Sequence, residues 1–156
     1  MNKNRTVKIG DIFQILSREG ICYGQILHKH KKWGYIIGVF RNFFDKEPEN
    51  FSFVINRKPD FITPFLINIA VSRGYFRIVG HEAISQCNAE FPIFRGTNNP
   101  SEGLNTLWWF WDGEREWRVD RPLTEIEKHY PQKSLISAPL LIRYVEDDYR
   151  VERDYN

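Results

Sequence analysis

Residues 7–40 read VKIGDIFQILSREGICYGQILHKHKKWGYIIGVF. Three runs rich in Ile, Phe, Tyr and Val are separated by glycine and charged punctuation. This is the pattern of a three-stranded antiparallel meander, because β-branched and aromatic side chains suit a pleated, half-buried surface. Strands are expected at Asp11–Leu16, Ile21–His28 and Trp33–Phe40, with Ser17-Arg18-Glu19-Gly20 as the first connection. On the second strand Ile21, Tyr23, Gln25 and Leu27 share one face, and Cys22, Gly24, Ile26 and His28 share the other. Both faces carry apolar groups, so the sheet should be covered on both sides or curled towards a barrel. On the third strand Trp33, Tyr35, Ile37 and Val39 share a side, while Gly34 and Gly38 interrupt the other, as strands that bend or admit a close neighbour do.

Downstream, Arg41–Asn50 reads as a polar loop. Phe51, Phe53 and Ile55 alternate as in a strand. Leu66–Val71 suits strand or helix; its Ile and Val content and the nearby Gly74 favour strand. Tyr75–Gly80 is another short strand. Phe94–Asn105, with Gly96, Asn98, Asn99, Pro100 and Gly103, reads as an irregular loop. Leu107–Trp111 and Glu114–Val119 form a hairpin around Asp112-Gly113, a two-residue turn signature. Thr124 and Glu127 make a capping box for a short helix that ends near His129, before Pro131. Leu140–Val145 gives a last strand, and residues 146–156 an exposed charged tail. The expected architecture is a single domain over residues 1–156 and mainly β. It would be a strongly bent antiparallel sheet or a partly open SH3-like barrel with one or two short helices.

Two segments resemble a known family. The opening Lys8-Ile9-Gly10-Asp11-Ile12-Phe13, followed by Gly20-Ile21-Cys22-Tyr23-Gly24-Gln25-Ile26-Leu27, is similar to the start of immunity protein 26. The stretch Ala70–Gly80 resembles that family's small-Gly-aromatic segment, with Phe76 in place of an expected tryptophan. The resemblance implies a mostly β bacterial protein of polymorphic toxin systems. It implies no catalytic residues, and a cognate toxin C-terminal domain as partner, blocked by binding at its active surface.

Composition limits the other classes. The chain has 156 residues with 12 Phe, 7 Tyr and 5 Trp, and rings of that size favour sheets. Its net charge of +2 is too close to balance for a nucleic-acid footprint. The first residues lack the apolar core of a signal peptide, and no apolar run approaches the roughly 20 residues a membrane helix needs. A reduced, cytoplasmic protein away from the membrane is expected. Neither GxGxxG nor GxxxxGK[ST] occurs, and no cofactor or small-molecule substrate is expected. Cys22 and Cys87 lie in no nucleophile motif, and a free cysteine commonly packs as a small hydrophobe. His28 and His30 share a strand face but lack a third ligand nearby, so no metal site is expected.

The candidate contact residues come from the hairpin. With Trp111 opposite Glu114 and Trp108 opposite Trp117, one face carries Trp108, Phe110, Trp117 and Val119 and reads as core. The other places Trp109 and Trp111 among Glu114, Glu116 and Arg118, as a toxin-binding surface would. The plainer alternative packs Trp109 and Trp111 under the 94–105 loop. Glu146, Asp147 and Asp148 are a second candidate, as acidic contacts for a basic toxin. A small-barrel module binding nucleic acid or peptide, and a thiol enzyme using Cys22 or Cys87, are the competing functional readings.

Overall fold

A computed structural model describes residues 6–97 and 107–153. They fall into two compact units, one drawn from Met1–Glu90 and Leu135–Tyr149, the other from Phe91–Ser134 and Arg150–Asn156. The protein is mainly β, with eight strands in two antiparallel sheets and three helices among the described residues, and neither sheet closes into a barrel.

In the first unit the meander is formed by β1 (Asp11–Ser17), β2 (Gly20–His30) and β3 (Gly34–Phe44). Residues 41–44, read as loop, continue β3. The segment Phe61–Pro64, read as no element, forms the edge strand β4, where a terminal proline leaves no central ladder bond unmade. β5 (Arg77–His81) pairs with β1 on the opposite edge, so the order is β4-β3-β2-β1-β5.

Both faces of this sheet are buried. On one, Phe13, Ile15, Cys22, Ile26, Ile37 and Val39 pack with residues of α2 (Ile67–Ser72) and α3 (Ala138–Glu146). On the other, Ile12, Tyr23 and Phe40 pack with Phe51 and with Val54 and Ile55 of α1 (Ser52–Ile55). Buried Gln25 ties this second face together, its Nε2 donating to the carbonyls of Gly10 at 3.3 Å and Glu82 at 2.9 Å.

All three helices occupy segments read as strands, for one physical reason. Phe51, Val54 and Ile55 recur at i, i+3 and i+4 and point inward together only as a helical turn, which leaves Phe53 outside. Ile67 and Ala70 do the same, with Leu66 and Ile69 outward. In α3 the buried positions are Ala138, Leu141 and Val145, and Ser137 caps the helix by accepting the Leu140 N–H at 3.2 Å, with Pro139 in the first turn. The β-branched content of these runs reflects burial against a sheet, which overrides local propensity.

The second unit holds β6 (Phe94–Thr97), β7 (Trp108–Trp111) and β8 (Glu116–Val119) in that order. Residues 94–97 are therefore strand rather than loop, and residues 98–105 of the expected loop lie outside the described residues. The capping box forms as read: Glu127 N–H donates to Thr124 Oγ1 at 3.2 Å, and Thr124 N–H to Glu127 Oε1 at 2.9 Å. The Arg121 guanidinium adds two bonds to Glu127 and, with the Thr124 groups, holds its carboxyl down at about 2. The turn that follows is a 3₁₀ helix over Glu127–His129.

The expected charged tail is largely structured through residue 153. Glu146 ends α3, and Val151–Arg153 form a 3₁₀ turn with Val151 buried. The reason is Arg95, a fully buried cation on β6 that lies over the Trp108 ring at 5.5 Å and donates to the Val151 carbonyl. Burying a guanidinium requires such partners, so the chain is drawn in to supply one.

Across the β1–β2 ladder Phe13 faces Gly24, and a Cβ at Gly24 would stand 2.2 Å from the Phe13 ring. Because Phe13 is itself enclosed, Gly24→Ala should destabilise the protein by about 1–3 kcal/mol through overpacking. Urea denaturation checks this, and an unchanged midpoint would show that the ring has room to move.

Candidate functional site

The 111–116 turn sits one residue later than the sequence suggests. Asp112 N–H donates to the Arg115 carbonyl at 3.2 Å, so Gly113 and Glu114 are the two loop residues. Asp112 Oδ1 accepts the N–H groups of Glu114 and Arg115, which together draw its carboxyl below the ordinary range. Gly113, at φ 98°, takes the left-handed position that a primed turn asks of its first loop residue. Trp111 therefore faces Glu116, Phe110 faces Trp117, Trp109 faces Arg118 and Trp108 faces Val119. The pairing slips by two residues, so the two faces keep their membership.

Their exposure is not what the residue types suggest. Trp111 is only 7% exposed, packed against Phe91 and Phe94, with the Lys133 ammonium 4.6 Å from its ring centroid. Trp117, expected in the core, is 37% exposed at the rim of β8, with its ring against Phe110. The correction has a simple cause. β8 is an edge strand, so its aromatic is covered only from the β7 side, whereas Trp111 lies on the central strand beside Phe94 of β6. Trp109 is half-buried under the Arg118 guanidinium at 5.8 Å. Glu114, Glu116 and Arg118 are exposed, and Glu116 lies 3.6 Å from Lys133.

The acidic candidates belong to the first unit. Glu146 accepts from the Arg18 N–H at 2.7 Å and from its Nε at 3.0 Å, which lowers its carboxyl. Asp148 stands 3.5 Å from Arg41, and Asp147 caps the end of α3 through its N–H. Glu146 and Asp148 thus serve the fold, and Asp147 alone of the three is exposed.

The thiols and histidines sort as follows. Burial pushes the Cys22 thiol up to about 12, which leaves it un-ionised at neutral pH. Cys87 is exposed, with its sulfur 3.3 Å from Ser85 Oγ. His30 Nδ1 accepts the N–H groups of Lys32 and Trp33 and so closes the β2–β3 turn. His28 is half-buried, and that burial lowers its pKa.

The alternation of the chain does not mark a further apolar surface on the first unit. At the end of β1, β2 and β3 next to the Ser17–Gly20 turn, Leu16 pairs with Ile21, and Ile21 pairs with Phe44. The Phe44 ring meets Phe53 at 5.9 Å. Tyr75 lies two residues before Arg77, the partner of Gln14, which places it at the same end of the sheet. Leu16, Phe53 and Tyr75 are 62%, 58% and 48% exposed. Leu16 and Phe53, beside Ile21 and Phe44, form an apolar row on the α1 face. Nothing in the alternation of residues 51–55 separated Phe53 from Phe51; only the i, i+3, i+4 spacing of Phe51, Val54 and Ile55 could have done so.

The family model for immunity protein 26 matches residues 8–101. The chain belongs to that family. The match spans the whole meander, α1, α2, β5 and β6, including every residue of the apolar row. No curated protein and no solved structure matches the chain.

Two measurements follow. Trp111→Ala should cost about 3–5 kcal/mol, as large core truncations do, while Trp117→Ala should cost far less; equal losses in chemical denaturation would contradict the assigned burial. Native protein at neutral pH should take up one equivalent of a thiol reagent, at Cys87, and two after unfolding. Rapid labelling of both in the native state would show that Cys22 is accessible.

Proposed function

We propose that this protein neutralises a cognate bacterial toxin by binding it and covering its active surface. The observation that carries the reading is membership of the immunity protein 26 family over residues 8–101. The fold suits the task. A sheet packed on both faces is a stiff platform, so little ordering is needed when a partner docks. The exposed aromatic and aliphatic side chains held on that platform are of the kind that anchor protein interfaces. The buried Cys22, with its thiol held in the neutral form, supports binding over thiol chemistry at that position.

On this reading the partner is the C-terminal domain of a secreted polymorphic toxin, and the protection is stoichiometric. Co-expression with the toxin domain encoded in the neighbouring reading frame tests it. Cells making both proteins should survive and yield a complex on purification, whereas cells making the toxin domain alone should not grow. Death in the presence of this protein, with no complex recovered, overturns the proposal.

A further inference from the structure

β8 is the open edge of the second unit's sheet. On the far side β6 is already covered: Arg95 N–H donates to the Pro131 carbonyl and Lys133 N–H to the Arg95 carbonyl, both at 2.8 Å. Among the described residues no strand lies beyond β8. The hairpin fixes which backbone groups of β8 face outward. Asp112 N–H to the Arg115 carbonyl closes the turn, and hydrogen-bonded pairs recur at every second position of an antiparallel ladder. Phe110–Trp117 and Trp108–Val119 are therefore the bonded pairs, and Glu116 and Arg118 turn their N–H and C=O groups to the open side. An edge that presents such groups is a template for another strand.

Two copies of β8 can meet at this edge about a two-fold axis, running antiparallel. Backbone polarity admits few registers, since outward residues must stand opposite outward residues. Setting Glu116 against its own copy puts carboxylate on carboxylate. Setting Arg118 against its own copy puts guanidinium on guanidinium. The remaining register sets Trp117 opposite its copy and Glu116 opposite Arg118 on both sides of the axis. Opposite charges directly across a ladder stabilise it and like charges destabilise it, so the side chains select that register. It also places the two indoles at a non-hydrogen-bonded position, where facing side chains come closest. Trp117 is 37% exposed with its ring against Phe110, and the copy covers its open side. The neighbouring charges are compatible. Arg115 falls opposite Val119 and lies 3.6 Å from Asp112 of its own turn. Arg118 keeps its place over Trp109, and Lys133 lies 3.6 Å from Glu116. Glu114 and Asp120 fall opposite each other, but one is in the turn and the other is past the end of β8, where no ladder holds them together.

We infer that this chain self-associates through β8, pairing Glu116 with Arg118 of a second copy and Trp117 with its counterpart, so that two three-stranded sheets join into one. Self-association of this kind is independent of toxin binding. A four-residue strand offers few bonds, so the dimer is weak and reversible. Charged residues on an edge strand commonly keep copies apart. Glu116 and Arg118 do so in the mismatched registers and admit only the matched one.

Sedimentation of the full-length protein from about 1 μM to about 1 mM, the range of weak interfaces, should show a reversible monomer–dimer equilibrium. The Glu116 and Arg118 amides should slow in hydrogen exchange as the dimer fills. Glu116→Arg and Arg118→Glu should each weaken the dimer by about tenfold or more, because each alters two cross-strand pairs at once. Mixing the two single variants should restore association as a heterodimer, and the double variant should restore the homodimer. Trp117→Ser should weaken the dimer without unfolding the monomer. Raised salt should loosen the wild-type dimer and relieve the single variants. Should a single variant fail to fold, the double variant and Trp117→Ser decide the matter. A wild type that stays monomeric across the range overturns the inference, as does a dimer indifferent to these substitutions. Glu116 and Arg118 amides protected only when the toxin domain is added give the edge to that partner and also overturn it. Failure to bind or neutralise a toxin counts against the proposed function and leaves the dimer untouched.

Discussion

The β1–β2–β3 meander is apolar on both sides, and neither side can be left to water. Phe13, Ile15, Cys22 and Ile26 project one way, and Ile12, Tyr23 and Phe40 project the other. Each fully buried side chain of this size is worth about 1.5–3 kcal/mol relative to exposure, so two covers are required. The first is built from α2 and α3, one helix following β4 and the other arriving from residues 138–146. The second is the single turn of α1 with Phe51. A barrel would have met the same need by curling the sheet onto itself. Here helices meet it, and the sheet stays open.

The two covers differ in extent, and that difference shapes the surface. The α2 and α3 cover holds more than a dozen apolar side chains in one cluster. The α1 cover is a single turn of four residues, joined by Phe51. Leu16, at the end of β1, remains in contact with solvent. A protein that had only to fold could have placed polar residues there, as the exposed positions of most sheets do.

The second unit is ordered by cations placed against rings. Arg95 lies over Trp108, Arg118 over Trp109 and Lys133 over Trp111. Each pairing lets a tryptophan approach the surface while one ring face remains covered. This explains why the hairpin, so rich in aromatics, presents less open apolar surface than its composition suggests. The Arg95 contact also recruits the Val151 carbonyl, and so turns a highly charged C-terminal segment into part of the unit.

The chain's own pattern was enough for the meander, the burial of both its faces, a hairpin near Asp112-Gly113 and which residues share each of its faces (though not its register), the Thr124–Glu127 capping box and the family. These rest on alternation, turn chemistry and short-range spacing, which act between near neighbours in sequence. Residues 51–55, 67–72 and 138–146 went the other way. Their Ile and Val content suits a strand in isolation, and only a sheet waiting to be covered selects the helical spacing within them. Exposure was likewise settled by the assembled structure. Trp111 is enclosed because it lies on a central strand beside Phe91 and Phe94, and Trp117 is exposed because β8 is an edge. Phe53 stands in solvent because the helical turn that carries it aims Val54 and Ile55 at the sheet, a fact of packing that the alternation of residues 51–55 does not record.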